Sequence, residues 1–345
     1  MQRDDDDPWM HPHENLITGE VLEKSIRFLA GCAILAPSGH NTQPWLFASG
    51  PNWLDVIADR TRALAVVDPD DRELTISCGA AVGTFETAAR RLSLQTSVAR
   101  CPDPGFPDHL AQITVEDGPP PDELEVTMFD AIARRRTDRS AYFLEELPDG
   151  LKCDCRKIAD PLGVNVEFFS DGSGLKTIAD LVAEGDRIQF EDPDFRHELA
   201  SWVHSSRRGS RDGMSGASFG LPDILAPAAR FVIRTFDLGE NIAAADAKKI
   251  LAGSPTLALL SSTSDTVEDW LDTGRALARM LLLLTARGFT ASYLNQPIEI
   301  ATLRSELRQA AGATTQPQIL LRIGRSERPP PPTMRRALSD VMITT

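Results

Sequence analysis

Two short polar segments contain the residue types best suited to binding a small ligand. The first, Ala36 to Trp45, reads APSGHNTQPW and is called the amide loop here because it contains Asn41 and Gln43. Each amide offers two donors and an acceptor, enough to bind the edge of a flat heteroaromatic ring. The alternative is an ordinary connection between a helix and a strand, in which both amides bond only to their own backbone. These residues alone leave both interpretations open.

The second segment, residues 134 to 139, reads RRRTDR and is called the arginine turn. Arg135, Thr137 and Arg139 alternate in it, so two guanidinium groups and a hydroxyl could converge on one phosphate. A planar guanidinium binds two phosphate oxygens at once. The alternative is a solvated helix end in which Asp138 pairs with its neighbours.

The charge balance limits the classes of partner. A net charge of -14 argues against nucleic-acid binding and against an anionic membrane surface. In so acidic a chain the arginine turn and the pair Arg335-Arg336 are candidate sites for one small anion. No apolar run approaches the roughly 18 residues of a membrane span. The first residues are acidic and polar where a signal peptide is basic and then apolar, so we expect a cytoplasmic protein with a flexible tail over residues 1–20.

Motif absences narrow the chemistry. The chain lacks G-x-G-x-x-G, G-x-x-x-x-G-K-[ST], G-x-S-x-G and H-E-x-x-H, so Rossmann dinucleotide binding, P-loop hydrolysis, hydrolase nucleophiles and zincin chemistry have no support. Five cysteines, an odd number, do not suggest a disulfide framework. The C-x-C of Cys153 and Cys155 has no second ligand pair at zinc-like spacing. We predict no metal site and no catalytic side chain.

Hydrophobic periodicity places both polar segments at the ends of regular elements. Pro37 disfavours helix at the residue before it and should end the first helix. A Pro-rich connector at residues 117–123 marks the strongest internal boundary. The predicted elements are helices over residues 20–35, 73–92, 124–134, 175–190, 270–287 and 300–311 and strands over residues 45–48, 53–58, 97–99, 112–115, 164–169, 256–261 and 318–323.

A weak internal repeat relates two of these helices. Residues 77–97 and 272–292 superpose without gaps at an offset of 195, which aligns Gly79 with Gly274. The chain could therefore consist of two related halves, or two helices rich in Ala, Leu and Arg could be similar by chance. Residues 205–220 contain five serines and four glycines, which predicts a mobile loop or lid, with a disordered linker as the alternative.

Together these segments resemble the nitroreductase superfamily of flavoproteins, and in particular its Acg-type branch. The amide loop is similar to the family's APSxxNxQPW loop, and RRRTDRSAYF is similar to its R-R-[ST]-x-R-x-F phosphate motif. Further similar segments are DRELTISCGAAV, DWLDTGRALARMLLLLTARGFTASYLNQPIEI, PQILLRIGR and PPTMRRAL. The resemblance runs in order from about residue 22 to residue 342.

The resemblance implies an α/β (α+β) fold with a central, mostly antiparallel sheet flanked by helices. It implies two tandem repeats that mimic the family homodimer within one chain, and hence a monomer. The implied halves are residues 21–118 and 119–345, with an inserted lid at about residues 200–237. Because the amide loop occurs only in the first half and the arginine turn only in the second, one complete FMN site is expected.

The resemblance also implies the site residues. Arg135, Thr137 and Arg139 match the phosphate binders, helped by Arg335 or Arg336. Ile300 stands where the family has a glycine. The amide loop contributes Pro37, Ser38, Asn41 and Gln43, and the segment that passes the flavin N5 edge, with a backbone N–H to offer, is Gln296, Pro297, Ile298 and Glu299.

The implied function is hydride transfer from NADH or NADPH through FMN to a small nitro, quinone or other conjugated acceptor. The flavin supplies the chemistry and the protein supplies binding and orientation. A second hypothesis is an FMN-sequestering or storage flavoprotein, in which a lid covers the flavin and turnover is small or absent. A third is a structural relic that binds no flavin.

Overall fold

A computed structural model describes residues 22–170, 172–205, 210–216 and 222–343. The predicted tail over residues 1–20 and parts of the predicted lid, residues 206–209 and 217–221, lie outside the described residues. Among the described helices, none combines the length and apolar character needed to cross a bilayer.

The first half contains one four-stranded antiparallel sheet with strand order β1-β2-β4-β3. The long second helix packs on this sheet through a face of buried small and apolar residues. Its elements are α1 (Leu22–Ala33), β1 (Trp45–Ser49), β2 (Trp53–Ala58), α2 (Arg72–Arg91), β3 (Leu94–Arg100) and β4 (His109–Asp117).

The second half contains a second four-stranded antiparallel sheet, with strand order β5-β6-β8-β7. Its elements are α3 (Glu123–Ile132), α4 (Asp149–Ala159), β5 (Val164–Phe169), α5 (Gly172–Glu191), α6 (Pro193–Ser201), α7 (Ala226–Thr235), α8 (Gly239–Gly253), β6 (Thr256–Ser262), α9 (Val267–Ala286), β7 (Thr290–Tyr293), α10 (Gln296–Glu299), α11 (Ala301–Ala310), β8 (Gln316–Gly324) and α12 (Leu338–Val341).

The predicted tandem repeat is confirmed. The two sheets have the same strand order, and α2 and α9 are both 20 residues long and lie 195 residues apart, the offset found in the sequence. The pairing of β2 with β4 shifts register between Val56 and Ile57, and that of β6 with β8 shifts between Leu260 and Ser261. The predicted fold class, helices with mostly antiparallel sheet, is confirmed as well.

The two halves meet where α2 crosses α9. A Cβ atom added to Gly79 would lie 2.1 Å from the carbonyl oxygen of Leu271, and one added to Gly274 would lie 2.0 Å from that of Ile76. The backbones therefore touch at the two glycines that the repeat aligns. Contact between equivalent residues is the property of a two-fold dimer interface, here formed inside one chain.

The halves differ most between their first two strands. In the first half a three-residue turn, Gly50 to Asn52, joins β1 to β2, whereas α5 to α8 lie between β5 and β6. The lid predicted at about residues 200–237 falls inside this insertion and stays a prediction. Periodicity did not predict α4, α6, α7 and α8.

Candidate functional site

The amide loop follows α1 in a strained conformation. His40, Asn41 and Gln43 have positive φ angles of 47°, 57° and 53°, uncommon for residues other than glycine and often found at functional sites. Pro37 is buried, and the hydroxyl of Ser38 accepts a 3.0 Å hydrogen bond from the backbone N–H of Gln43. The loop is thus closed on itself.

The side chain of Asn41 joins the loop to two distant segments. Its Nδ2 donates to the carbonyl oxygens of Gly213, at 3.0 Å, and Met334, at 3.1 Å. Its Oδ1 accepts a 2.8 Å bond from Nη1 of Arg335. This amide therefore binds both the insertion and the segment Thr333–Arg336, which we call the C-terminal tail.

Gln43 is fully buried and makes the same two connections. Its Nε2 donates to the carbonyl oxygen of Arg211 at 2.8 Å, and its Oε1 accepts from the backbone N–H of Arg336 at 2.8 Å. Arg336 also bonds the carbonyl oxygen of Gln43, at 3.0 Å, and Asp59, at 3.2 Å. In this structure the amides predicted to contact a ligand ring hold protein segments.

Replacing Asn41 by Ala should loosen both segments, because it removes three side-chain hydrogen bonds, each contributing about 1 kcal/mol. We expect trypsin to cleave after Arg211 about fivefold faster, since cleavage requires local opening and the one Asn41 bond that holds this segment, to Gly213, contributes about 1 kcal/mol. The control is Asn52→Ala, in the exposed β1–β2 turn. Equal cleavage rates in both variants would contradict this account of the loop.

Two buried guanidinium groups converge on the end of α1. Nη2 of Arg135 and Nη2 of Arg335 each lie 3.3 Å from the carbonyl oxygen of Leu35, and Arg335 also donates to that of Ala36 at 3.2 Å. Their exposed fractions are 5% and 3%. No carboxylate of the described residues lies within 4 Å of Arg135. The structure thus brings together the amide loop, the arginine turn and the C-terminal tail.

The electrostatics of this pair favour a bound anion. Burial lowers the pKa of Arg135, and burial together with the charges of Arg135 and Arg136 lowers the pKa of Arg335 well below its usual range. Both shifts mean that the charged forms are poorly solvated, and for Arg335 the nearby positive charges add repulsion. A dianionic group beside them would raise the pKa of both arginines again, because charge-assisted bonds to guanidinium are strong.

The rest of the arginine turn lies along β7. Thr137 forms a parallel bridge with Ala291, and the backbone N–H of Asp138 donates to the carbonyl oxygen of Ala291 at 3.0 Å. Side chains alternate along an extended segment, which places Thr137 and Arg139 on one side and Asp138 on the other. Arg139 is exposed, unlike Arg135.

Tyr293 belongs to this site although the sequence analysis did not single it out. Burial raises the pKa of its hydroxyl to about 12, and the charges of Arg135, Arg139 and Arg335 partly offset that effect. All three cations therefore lie near one phenol. Its position inside the segment ending in TASYLNQPIEI, which resembles the family, could have identified it.

Arg322, on β8, bonds to the backbone just after the arginine turn. It is 1% exposed, its Nε donates to the hydroxyl of Ser292 at 2.7 Å, and it donates to the carbonyl oxygen of Ser140. Its guanidinium carbon lies 4.1 Å from the centre of the Tyr142 ring. Arg322 was also missed, although an arginine inside the apolar strand QILLRIG is conspicuous.

The segment predicted to pass the flavin N5 edge forms the short helix α10. The backbone N–H groups of Ile298 and Glu299 both donate to the carbonyl oxygen of Asn295, at 2.7 and 3.0 Å, and Pro297 has none. Those three residues have no N–H to offer to a ligand in this conformation. The N–H groups of Gln296 and Ile300, at either end, take no part in this turn.

The same segment is tied to the first half through carboxylates. Nδ2 of Asn295 donates to Oε1 of Glu73 at 2.9 Å, and Arg72 lies 3.0 Å from that oxygen. Desolvation raises the pKa of Glu299 well above its usual range, and the neighbouring charge of Glu73 adds to the effect. Residues from both halves therefore meet beside the amide loop.

A concave groove and the buried guanidinium groups lie in different parts of the molecule. A groove of about 500 Å³ follows α11 and is lined by residues such as Arg304 and Arg308, none of them predicted for the site. Beside the amide loop, a cavity of about 10 Å³ bordered by Gly39 and Glu73 could hold about one water molecule. We place the candidate site at the loop because the buried guanidinium groups of Arg135 and Arg335 come together there, whereas Arg304 in the α11 groove is half-buried and pairs with Asp265.

Among the described residues, the second half shows no equivalent of the amide loop between its first helix and first strand. Between α4 and β5 the chain makes a short turn over Asp160–Leu162 followed by Gly163, with φ 68°, and no amide side chain lies in that turn.

Comparisons with known proteins find relatives that span nearly the whole chain. No family model matches the chain. It is 34% identical over 323 residues to "Putative NAD(P)H nitroreductase Rv3131" of Mycobacterium tuberculosis, spanning 92% of this chain and 91% of that relative. It is 26% identical over 334 residues to "Putative NAD(P)H nitroreductase acg" of the same species, spanning 95% and 97%. Among solved structures, the FMN-dependent nitroreductase NfnB from Mycobacterium smegmatis in complex with NADPH gives a TM-score of 0.42 at 18% identity, over 65% of this chain and 100% of that one.

Proposed function

The chain belongs to the NAD(P)H nitroreductase family and to its Acg-type branch, and from that premise we propose that it is an FMN-dependent NAD(P)H oxidoreductase. Its acceptor in this proposal is a small nitro, quinone or other conjugated compound. The observation that carries the proposal is Arg135, a buried cation with no carboxylate of the described residues within 4 Å, at a point where both halves meet.

The residues present fit the phosphate of FMN. Arg135 and Arg335 supply buried guanidinium groups, and Thr137 and Arg139 lie on the adjoining extended segment. Such a set matches a phosphate dianion in charge and in number of donors. Pro37, Ser38, Asn41 and Gln43 would form the wall beside the flavin, with Arg336 fixing Gln43 from behind.

The chain's own residues would bind and orient. When bound, FMN supplies the hydride transfer between nicotinamide and acceptor. The segment Gln296–Glu299 would border the reactive edge, with the N–H of Gln296 or of Ile300 as the available backbone donor. Glu299 at the end of this segment is buried, and desolvation together with the charge of Glu73 raises its pKa well above its usual range, which favours the neutral acid beside the flavin.

A second function is favoured by one specific observation. The insertion segment that contains Arg211 and Gly213 bonds directly to Gln43 and Asn41, and therefore covers the amide loop. A covered flavin would be protected from nicotinamide, as in the sequestration hypothesis. The two functions share the site and differ in access to it.

Reconstitution with FMN followed by reduction tests both functions. We expect a yellow protein with about one FMN per chain, and its colour should bleach when it is mixed anaerobically with NADPH or NADH. Bound colour that persists after mixing would support sequestration. A protein that stays colourless after reconstitution would contradict both.

We further propose that the protein is a monomer divided at about residue 118, with residues 21–118 and 119–345 as its halves. Each sheet lies entirely on one side of this boundary. The α2–α9 crossing already fills, within one chain, the interface that two copies would otherwise share. Analytical ultracentrifugation should give the mass of one chain, 37.7 kDa.

A further inference from the structure

Asp186, in the insertion, bonds to the Gln296–Glu299 turn at the proposed flavin edge. This carboxyl lies on α5 and is 2% exposed, and Nε2 of Gln296 donates to its Oδ1 at 3.0 Å. The other oxygens of the pair, Oδ2 of Asp186 and Oε1 of Gln296, are buried and have no hydrogen-bond partner among the described residues. Two acceptor oxygens cannot satisfy each other, and leaving both unsatisfied is costly. One proton on Asp186 would resolve both, since a carboxylic acid can donate to the amide oxygen while accepting from its nitrogen.

A second pair lies one helical turn further along both elements. Nε2 of Gln189 donates to Oε2 of Glu299. Asp186 and Gln189 are three residues apart on α5, and Gln296 and Glu299 are three apart on α10, so each pair of residues lies on one helical face. In each pair one acid bonds to one amide. The acid lies on α5 in the first pair and on α10 in the second.

The backbones are close enough for this only because residue 185 is glycine. A Cβ atom added to Gly185 would lie 2.7 Å from Cβ and 3.0 Å from the carbonyl carbon of Gln296. The first half has no counterpart of α5, since a three-residue turn joins β1 to β2 there. The contact is therefore specific to the half that carries the insertion.

We propose that α5 clasps the Gln296–Glu299 turn through two acid–amide pairs, in which Asp186 is protonated and donates to Oε1 of Gln296. Asp186 and Gln189 are then positioning residues, which hold the turn in place without touching the cofactor. The clasp itself follows from the geometry, and its consequence for catalysis rests on the proposed FMN site. Opening of the clasp would free both the turn and the insertion that covers the amide loop.

The surroundings of Asp186 make the clasp sensitive to pH. Burial raises its pKa to about 7, and the carboxylate of Asp246 on α8 contributes to the rise. The hydrogen bond from Gln296 on α10, the charge of Lys249 on α8 and that of Arg187 on α5 oppose the rise, and no charged residue of α6, α10 or α11, which also pack on α5, is among the main causes of the shift. In an opened state Asp186 would return to its ordinary pKa of about 4. The closed state therefore retains a proton that the open state loses, and the clasp weakens as pH rises from about 4 to about 7.

Hydrogen–deuterium exchange of the full chain at a series of pH values tests the clasp. The protection factors of the amides in residues 295–300, which already correct for intrinsic exchange, should fall with rising pH in the wild type. In Asp186→Asn this fall should be shallower by up to about tenfold per pH unit below about pH 7, because one titrating proton has been removed. An asparagine can still donate to Gln296, so at about pH 8 the variant should be at least about tenfold more protected than the wild type.

The control is Asp180→Asn, the same substitution on α5 at a side chain that is 64% exposed and pairs with Lys176. It should reproduce the wild-type dependence on pH. Protection that is independent of pH in the wild type, or the same dependence in the wild type and Asp186→Asn, would overturn the clasp. Because exchange does not require flavin, a colourless protein would contradict the proposed function and leave this test intact.

Discussion

The variant Arg135→Gln is expected to bind FMN about 100-fold more weakly than the wild type, while its cofactor-free form is at least as stable. A buried guanidinium bonded to phosphate contributes about 1.5–3 kcal/mol, and 2.7 kcal/mol corresponds to about 100-fold in affinity. Without the anion the same cation is a desolvated charge, whose pKa burial lowers. Replacing it by a neutral amide removes that cost. Quenching of FMN fluorescence measures affinity, and urea unfolding of the cofactor-free chain measures stability.

The neighbouring residue provides the matched control. Arg134 is exposed, and its Nε donates to the backbone carbonyl oxygen of Asp130 at 3.1 Å. Arg134→Gln changes the net charge equally but removes no buried cation, so both affinity and stability should stay near the wild-type values. If both variants weakened FMN binding alike, the effect would be one of overall charge, and the assignment of Arg135 to the phosphate would fail.

The fold was largely predictable because each half repeats a strong pattern. The strands at residues 53–58 and 164–169 were predicted to the residue, and the repeat offset of 195 taken from the sequence equals the spacing of α2 and α9. Apolar strands and long amphipathic helices carry such patterns locally. What the sequence could not show is that Gly79 and Gly274 touch, because contact between halves depends on how the two helices cross.

The insertion was predicted least well, for a physical reason. In α7 only Ala226 and Ile233 are buried, and in α8 only Gly239, Ala243 and Ile250. The helical periodicity of α8 is weak, whereas α7 is amphipathic but short and follows a Gly- and Ser-rich stretch that favours loop. Of the helices in the insertion, the sequence therefore predicted α5 but not α6, α7 and α8, and the lid itself stays a prediction.

For the site, the sequence identified polar motifs but not their partners. Asn41 and Gln43 were singled out for their amide groups, yet those amides bind Gly213 and the C-terminal tail, which lie more than 170 residues away in the chain. Tyr293 is identified by the three cations around it, and Asp186, which had no motif of its own, by its burial and its unsatisfied oxygen. Long-range polar contacts of this kind follow from the tertiary structure and leave no local pattern.

The variant Gly274→Ala is expected to lower the free energy of unfolding by at least about 3 kcal/mol, which is the upper end of the usual cost of overpacking. A loss of this size could also prevent folding at 37 °C. The added methyl would lie 2.0 Å from the carbonyl oxygen of Ile76 and 2.8 Å from the Cα of Gly79. These are backbone atoms inside a 20-residue helix, so they cannot move aside as a side-chain tip would. The helices must separate, which opens the core that the two halves share. Urea unfolding followed by circular dichroism measures the loss.

Gly150→Ala separates this steric effect from the general effect of removing a helical glycine. Gly150 lies exposed at the start of α4, and a Cβ atom added there would meet nothing within 4 Å. An alanine restricts the unfolded chain and suits the helix, so this variant should be more stable by about 0.4–1 kcal/mol. If Gly150→Ala stabilises the protein while Gly274→Ala destabilises it, the loss of stability comes from the α2–α9 crossing and not from removing a glycine.

Because Arg135 and the amide loop come from different halves, the Gly274→Ala protein that does fold should also bind FMN more weakly. Unchanged affinity in that protein would show that the crossing does not set the geometry of the site.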